Sequence, residues 1–353
     1  MQKPPLDGAD PTASLPDHVL QHILTYLAVG TLYRRATRVC KRWNRLAHTR
    51  MIKSLFGFEI KWGDYATKQT QPATLPGGEN MFACFALHPD GRMYGANKAN
   101  FLISARGADP TALSTMHGHS NLIRALVLSP DGNRLYSASA DHNIKVWDTN
   151  TNALLLTLIG HLSAVTSLAI APDGLALYSG SAGGNVRVWS TGNGAQLRRV
   201  SGVDADPKKS RVVGALAVSP DGQHFWAGMQ SGIEVFSTAD GSRVRILNGH
   251  TGHVTALVFC HRSGLVYSSS RDRTIRVWSA DDGSYVRRVD AGLRKHVTTL
   301  ALSNDGQRLF AGDDTLIRVW NTSNGSSPVV KVNTSGRVFS LALSADGSLY
   351  SGQ

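Results

Sequence analysis

Along most of the chain, apolar and polar positions alternate in short runs. Ala215-Leu216-Ala217-Val218 leads into Pro220-Asp221-Gly222, and Phe225-Trp226-Ala227 follows it. Two alternating runs around such a tripeptide predict a β-hairpin, with Asp opening the turn and Gly at the positive-φ position. The tripeptide also stands at Pro89-Asp90-Gly91, Pro130-Asp131-Gly132 and Pro172-Asp173-Gly174. Looser versions end at Gly264, Gly306 and Gly347, so the glycines step by 41, 42, 48, 42, 42 and 41 residues. A second mark follows 14 or 15 residues later: Ile144-Lys145-Val146-Trp147, Val186-Arg187-Val188-Trp189, Ile233-Glu234-Val235-Phe236, Ile275-Arg276-Val277-Trp278 and Ile317-Arg318-Val319-Trp320. Ile and Val two apart share one face of a strand and the residue between them points to the other. A third mark is Gly-His, at Gly118-His119, Gly160-His161 and Gly249-His250. Three marks in phase at a period near 42 mean a repeat architecture built from strands.

Residues 15–56 follow another rhythm. Leu15, Val19, Leu20, Ile23, Leu24 and Leu27, then Leu32, Ala36, Val39, Cys40, Trp43, Leu46 and Ala47 are spaced by threes and fours. That spacing predicts two amphipathic helices, with Ser14 and Thr31 as caps and a break at Ala28-Val29-Gly30. Residues 1–14 read as a flexible N-terminus. Some 40 residues make too small a core to stand without support, so a partner or the repeat array must cover one face.

Composition narrows the classes. The 353 residues carry 37 Lys/Arg and 25 Asp/Glu, a formal charge of +12, and 35 glycines. No run approaches a membrane span, and Met1 to Asp10 lacks a signal peptide's apolar core. An intracellular protein of cytoplasm or nucleus, without membrane attachment, is expected. Cys40, Cys84 and Cys260 fit neither a disulfide framework nor a metal spacing. Phosphate-binding loops, dinucleotide fingerprints and zinc-protease motifs do not occur, so no cofactor, metal or enzymatic activity is expected. The basic charge gathers on Arg34, Arg35, Arg38, Lys41, Arg42 and Arg45 of the second predicted helix. It lacks interleaved aromatics, so a solvated face is preferred there over a nucleic-acid site.

The Gly-His, hairpin and Trp marks resemble the WD-repeat pattern, in which each repeat is a four-stranded propeller blade. The resemblance covers residues 58–353. Residues 15–56 resemble an F-box, through Leu15-Pro16-Asp17, Val19-Leu20, Ile23-Leu24-Thr25-Tyr26-Leu27 and Val39-Cys40-Lys41-Arg42-Trp43-Asn44-Arg45-Leu46-Ala47. His18 departs from the acidic residue common there. The expected fold is an all-β seven-bladed propeller of WD repeats, preceded by a small α-helical F-box module. Phe58-Glu59-Ile60-Lys61-Trp62 resembles the Ile-Lys-Val-Trp strand, so residues 58–76 are expected to complete the last blade with residues 337–353.

Together the two resemblances imply the substrate receptor of a Skp–cullin–F-box ubiquitin ligase, itself without bond chemistry. Its partners would be a Skp-type adaptor, the cullin scaffold and a target protein. The F-box resemblance implies adaptor contacts at Leu15, Pro16, Leu20, Ile23, Leu24, Leu27, Val39, Cys40 and Trp43, an apolar ridge laid in a groove. Phase alignment places Arg124, His253, Thr255, Arg271, His296, Thr298, Asp313, Arg337 and Phe339 on the propeller's ligand-binding surface. Arg and His predominate, which suits an acidic or phosphorylated segment. The insertion at Asp204–Arg211 enters a loop on that surface. His119, Ser137, Asp141 and Trp147, and again His250, Ser268, Asp272 and Trp278, have the types of a catalytic triad plus a Trp. The WD resemblance implies structural hydrogen-bond networks instead. Gly183 and Gln230 stand in the Asp place of blades three and four, and blade one lacks the Trp near Ala105, so those blades are expected to be less rigid. A scaffold that recruits no ligase, and an RNA-associated propeller, are the other readings.

Overall fold

A computed structural model describes residues 82–97, 101–106, 113–200, 212–230, 232–289, 295–314, 316–323, 330–334, 337–343 and 349–352. The chain divides into two compact units, Met1–Lys61 with Asp346–Ser348, and Trp62–Ala345 with Leu349–Gln353. The expected helices of residues 15–56, the strand segment 58–76 and the insertion Asp204–Arg211 lie outside the described residues.

The second unit is all-β. Six four-stranded antiparallel sheets follow one another, each with strands in chain order. Blade two is typical: Ile123–Leu128, Arg134–Ser139, Ile144–Asp148 and Leu154–Leu158. The first strands of successive blades lie side by side. Ser340–Leu343 continues that series and lies against both Thr299–Leu302 of blade six and Phe82–Leu87 of blade one, so the ring closes. It pairs with Leu349–Gly352 in a two-stranded sheet. The expectation of seven complete blades is corrected: the described residues form six, with this pair in the next place.

The hairpin turns form because glycine takes the left-handed region. Gly132, Gly174, Gly222, Gly264 and Gly306 have φ between 62° and 76°. The cores lie between blades. Tyr136, Ala138, Ile144 and Val146 of blade two pack with Leu177 and Trp189 of blade three. Tyr267, Ile275 and Val277 of blade five pack likewise with Leu309 and Trp320 of blade six. In blades two, four and five the Ile-x-Val pair thus faces the next blade, and that blade's Trp covers it. In blade four Phe236 takes the Trp place and stacks on Phe225 at 4.9 Å, with the rings 9° apart. Blade one has Arg106 at this register position, because Met93 pairs with Arg106 where Leu135 pairs with Trp147. The vacancy lies one residue beyond the Ala105 expected. Close approach also shapes the joints. A Cβ on Gly228 would stand 2.6 Å from Val254, and one on Gly312 would stand 2.5 Å from Val338.

A set of arginine staples holds the joints on the side of the Pro-Asp-Gly turns. Arg92 donates to the Thr149 carbonyl and Arg134 to that of Thr191. Arg198 donates to the carbonyls of Thr238 at 3.0 Å and Ala239 at 2.8 Å, Arg245 to Asp281 at 2.9 Å, and Arg287 to Thr322 at 2.5 Å. Each of the five joints between complete blades thus carries one. A guanidinium satisfies a carbonyl left over at a turn, and hydrogen bonds to charged groups are the stronger kind. Arg198→Ala is expected to lower the unfolding free energy by roughly 1–2 kcal/mol. Arg199→Ala, on its exposed neighbour, is expected to cost less than about 0.5 kcal/mol. Urea titration of the two variants checks the difference.

Candidate functional site

Because strands alternate in direction, the loops emerge on two faces. Connections between strands one and two, and three and four, carry the hairpin turns. Connections between strands two and three, and from one blade to the next, carry the Gly-His marks. Every candidate residue of the propeller belongs to this Gly-His face or lies beneath it. The adaptor-contact residues Leu15, Pro16, Leu20, Ile23, Leu24, Leu27, Val39, Cys40 and Trp43 lie outside the described residues.

The two Ser-His-Asp-Trp sets are joined into networks. In blade two, His119 Nδ1 stands 2.7 Å from Asp141 Oδ2, His119 Nε2 2.7 Å from Ser137 Oγ, and Trp147 Nε1 donates to Ser137 Oγ at 2.9 Å. In blade five, each of the same three contacts, made by His250, Asp272, Ser268 and Trp278, is 2.8 Å long. The carboxylate accepts from Nδ1–H, so Nε2 accepts from the serine, whose oxygen accepts from the indole. The same carboxylate oxygen accepts the backbone N–H of Ser120 or Thr251 at 3.1 Å. Burial pushes Asp141 and Asp272 upward, but hydrogen bonds, those from His119 and His250 foremost, outweigh it and hold both below the usual carboxylate range. Burial pushes the His119 imidazole down. Ser137 and Ser268 are fully buried and bonded on both sides, so neither can act as a nucleophile.

Blade three keeps three members. His161 Nε2 lies 2.7 Å from Ser179 Oγ and Trp189 donates to the same oxygen at 2.8 Å, while Gly183 stands in the Asp place. Burial first, then the charges of Arg187 and Arg199, push the His161 pKa down to about 4. Blade six solves the problem differently. Ala311 pairs with Arg318 in the register where Ser137 pairs with Lys145, and Trp320 Nε1 is buried without a partner among the described residues. Asp313 forms a buried ion pair with Arg318 and accepts the Leu316 N–H at 2.9 Å. The placement of Asp313 on the ligand surface is therefore corrected: it is 2% exposed and belongs to the blade's interior.

The remaining surface candidates divide. Arg124, Arg271, His296 and Arg337 are exposed. His296 Nδ1 donates to the Arg271 carbonyl at 2.5 Å, which joins blades five and six. His253 is half-buried nearby, and burial, then the charge of Arg271, lowers its pKa. Arg337 lies over the Phe339 ring at 5.3 Å. Its Nε meets Asp314 Oδ1 at 3.3 Å, and Lys295 meets Asp314 Oδ2 at 3.3 Å. Asp314 was missed in the sequence; its only signal was the Asp313-Asp314 doublet. Thr255 donates to the Val297 carbonyl at 2.7 Å, and Thr298 reaches those of Gly312, at 3.1 Å, and Val338. These hydroxyls tie blade to blade. Thr166 does the same at Val213, at 2.6 Å. Among the described residues no group of three or more His, Cys, Asp or Glu could hold a metal ion, and no helix is long and apolar enough to cross a membrane.

A histidine whose folded pKa lies below its unfolded value near 6.5 binds fewer protons when folded. Its contribution to stability is full above that value and is lost as pH falls toward the folded pKa. The melting temperature is therefore expected to fall between pH 6.5 and about 4, and His161→Gln to flatten the fall. Differential scanning fluorimetry across that range checks it.

An F-box-like family model matches residues 12–56. The model of the WD domain, G-beta repeat, matches residues 110–148, 152–190, 241–279 and 287–321, each stretch ending one residue past a buried Trp. Periodic tryptophan protein 2 of Saccharomyces cerevisiae is 40% identical over 203 residues, 56% of this chain and 22% of that protein. The Periodic tryptophan protein 2 homolog of Mus musculus is 39% identical over 161 residues, 45% of this chain and 17% of that protein. The chain spans about a fifth of the length of these relatives. With an F-box-like domain at 12–56 and WD40 repeats between 110 and 321, the chain matches an F-box/WD-repeat protein.

Proposed function

We infer that the protein is a substrate-recognition subunit of a Skp–cullin–F-box type ubiquitin ligase. The observation that carries this reading is the union, on one chain, of an F-box-like domain at 12–56 and a WD-repeat propeller. The F-box helices dock a Skp-type adaptor through Leu15, Pro16, Leu20, Ile23, Leu24, Leu27, Val39, Cys40 and Trp43, and the adaptor brings the cullin. The propeller holds a target protein, inside the cell, in cytoplasm or nucleus. The subunit makes and breaks no bonds. It raises the effective concentration of target lysines near a charged conjugating enzyme.

The target contact is assigned to Arg124, Arg271, His296, Arg337 and Phe339, with His253 beneath. Exposed guanidinium groups suit a carboxylate or phosphate in bidentate geometry. An acidic or phosphorylated segment is the ligand class. Residues 58–76 complete the last blade beside Ser340–Leu343 and Leu349–Gly352, and so cover a free strand edge.

The likeness to the two periodic tryptophan proteins supports a second reading, a WD-repeat scaffold that recruits no ligase. A pull-down with a Skp-type adaptor separates the two. Binding by the full chain that is lost in Leu20→Asp, Ile23→Asp, and that holds as salt rises, is the expected result. Binding by neither chain would leave the scaffold. Steep loss with salt would point to nucleic acid carried through the preparation. In the same preparations, deletion of residues 58–76 is expected to lower the melting temperature and raise aggregation; an unchanged melting curve would mean that this segment does not complete the last blade.

A further inference from the structure

The joint between blades two and three departs from its counterparts in three ways that converge on one corner of the Gly-His face. In blades two and five, one carboxylate oxygen, of Asp141 or Asp272, accepts two N–H groups. They are the imidazole Nδ1–H of His119 or His250 and the backbone N–H of Ser120 or Thr251. Blade three keeps both donors, as His161 and Leu162, and has Gly183 in place of the acid. His161 Nε2 is taken by Ser179, so Nδ1 carries the proton. His161 is 93% buried, and neither its Nδ1–H nor the Leu162 N–H has a partner among the described residues. By register with blades two and five, both donors lie beside a place that holds a carboxylate twice elsewhere in this ring, and whose near neighbour here is Ser163 Oγ, which accepts the Gly183 N–H at 2.9 Å.

The surroundings favour an anion. The charged groups acting on His161 are Arg187, Arg199 and His142, with no carboxylate among them. The flanks are apolar. Ile159 is 76% and Leu162 85% exposed, the highest among the large hydrophobic side chains described. At the same positions the other Gly-His loops have polar residues: His117 and Asn248, then Ser120 and Thr251. Isolated exposed apolar residues mean little, but a pair beside unpartnered donors and cations is a recognition surface.

The geometry points to a docking site at this corner for a protein segment that sets an aspartate or glutamate beside an apolar residue. The carboxylate accepts the Leu162 N–H and the His161 Nδ1–H, in the place filled by Asp141 and Asp272. The apolar residue packs on Ile159 and Leu162. The partner supplies the fourth member of blade three's network, so that binding also stiffens the joint. No phosphate is needed and no adaptor is involved, so this site stands apart from the surface at Arg271 and Arg337.

The test uses the full chain and an array of labelled decapeptides on a glycine-serine background. A central Asp or Glu is flanked by Leu, Ile, Phe or Met, and each peptide is paired with its Asn or Gln twin. Fluorescence anisotropy is expected to find members that bind about tenfold or more tighter than their amide twins, the scale of a lost charged hydrogen bond. Leu162→Ser should weaken them without moving the melting temperature. Gly183→Asp with Ser163→Gly should remove binding and raise the melting temperature, because the acid then comes from the chain itself. Gly183 has no positive φ, Ser163 Oγ lies 2.9 Å from where its Cβ would stand, and blade five has Gly252 at the Ser163 place. The His161 Nδ1–H resonance should move on peptide addition. Binding indifferent to the amide swap, or carboxylate-dependent binding that survives both variants, would overturn the proposal. So would competition by sodium acetate at peptide concentrations, which would make this a free-anion site.

Discussion

No blade of this ring can bury its own third strand. The third-strand apolar pairs of blades one, two, four and five point at the next blade, whose indole, Trp147, Trp189, Trp278 or Trp320, closes over them, and Phe236 does the same for Val186 and Val188 of blade three. A large aromatic buried there removes on the order of 200 Å² from water, one of the larger single terms available to so small a sheet. Stability is therefore a property of joints. A blade has no independent fold, and a weak joint is felt by two neighbours. This explains why the polar devices of the molecule cluster at joints too. The arginine staples, the threonine hydroxyls on the next blade's carbonyl and the glycines that admit Val254 and Val338 all serve the same contact.

The indole brings a cost with it. Its N–H is buried with the ring and needs an acceptor. Blades two, three and five provide a serine, and a histidine then completes the serine. Blade four avoids the demand by using Phe236, whose ring carries no donor and stacks on Phe225 instead. Blade six leaves the Trp320 N–H without a partner among the described residues and turns the polar effort to the Asp313–Arg318 pair. Removing one partner of such a buried pair would leave an uncompensated charge, so the two residues hold their places in this loop together.

The blade boundaries were legible in the sequence because backbone geometry forces them. A left-handed turn position asks for glycine, and an indole between sheets cannot be replaced by a small residue without a cavity. The networks of His119 and His250 were legible because four side chains recur in phase. What escaped had no side-chain signature. The acceptors of Arg198, Arg245 and Arg287 are main-chain carbonyls, which no residue type announces. Asp313 was misplaced because its loop reaches Ile317 one residue sooner than blade two's reaches Ile144, which moves the acid inward to the place of Ser139. Phase alone puts Thr255 and Thr298 among the surface candidates, yet their hydroxyls turn to the neighbouring blade. The count of seven turns was right for the strands pairs it marked, but a turn marks only two strands of a blade.

Charge on this propeller has to be read by partner rather than by sum. A formal +12 suggests a basic protein, yet Arg92, Arg134, Arg198, Arg245 and Arg287 each neutralise a carbonyl dipole on the turn face. They are structural, and their charge is partly spent. On the Gly-His face the position differs. Lys295 and Arg337 share the single carboxylate of Asp314, and the guanidinium groups of Arg124 and Arg271 take no ion pair among the described residues. Arg124 and Arg271 thus keep exposed charges with no ion pair among the described residues, which is the state in which a guanidinium can take a carboxylate or phosphate, and the staples do not share it. The two faces of one ring thus use the same residue type for opposite ends: inward-turned arginines hold the blades together, and outward-turned ones are left for something else to neutralise.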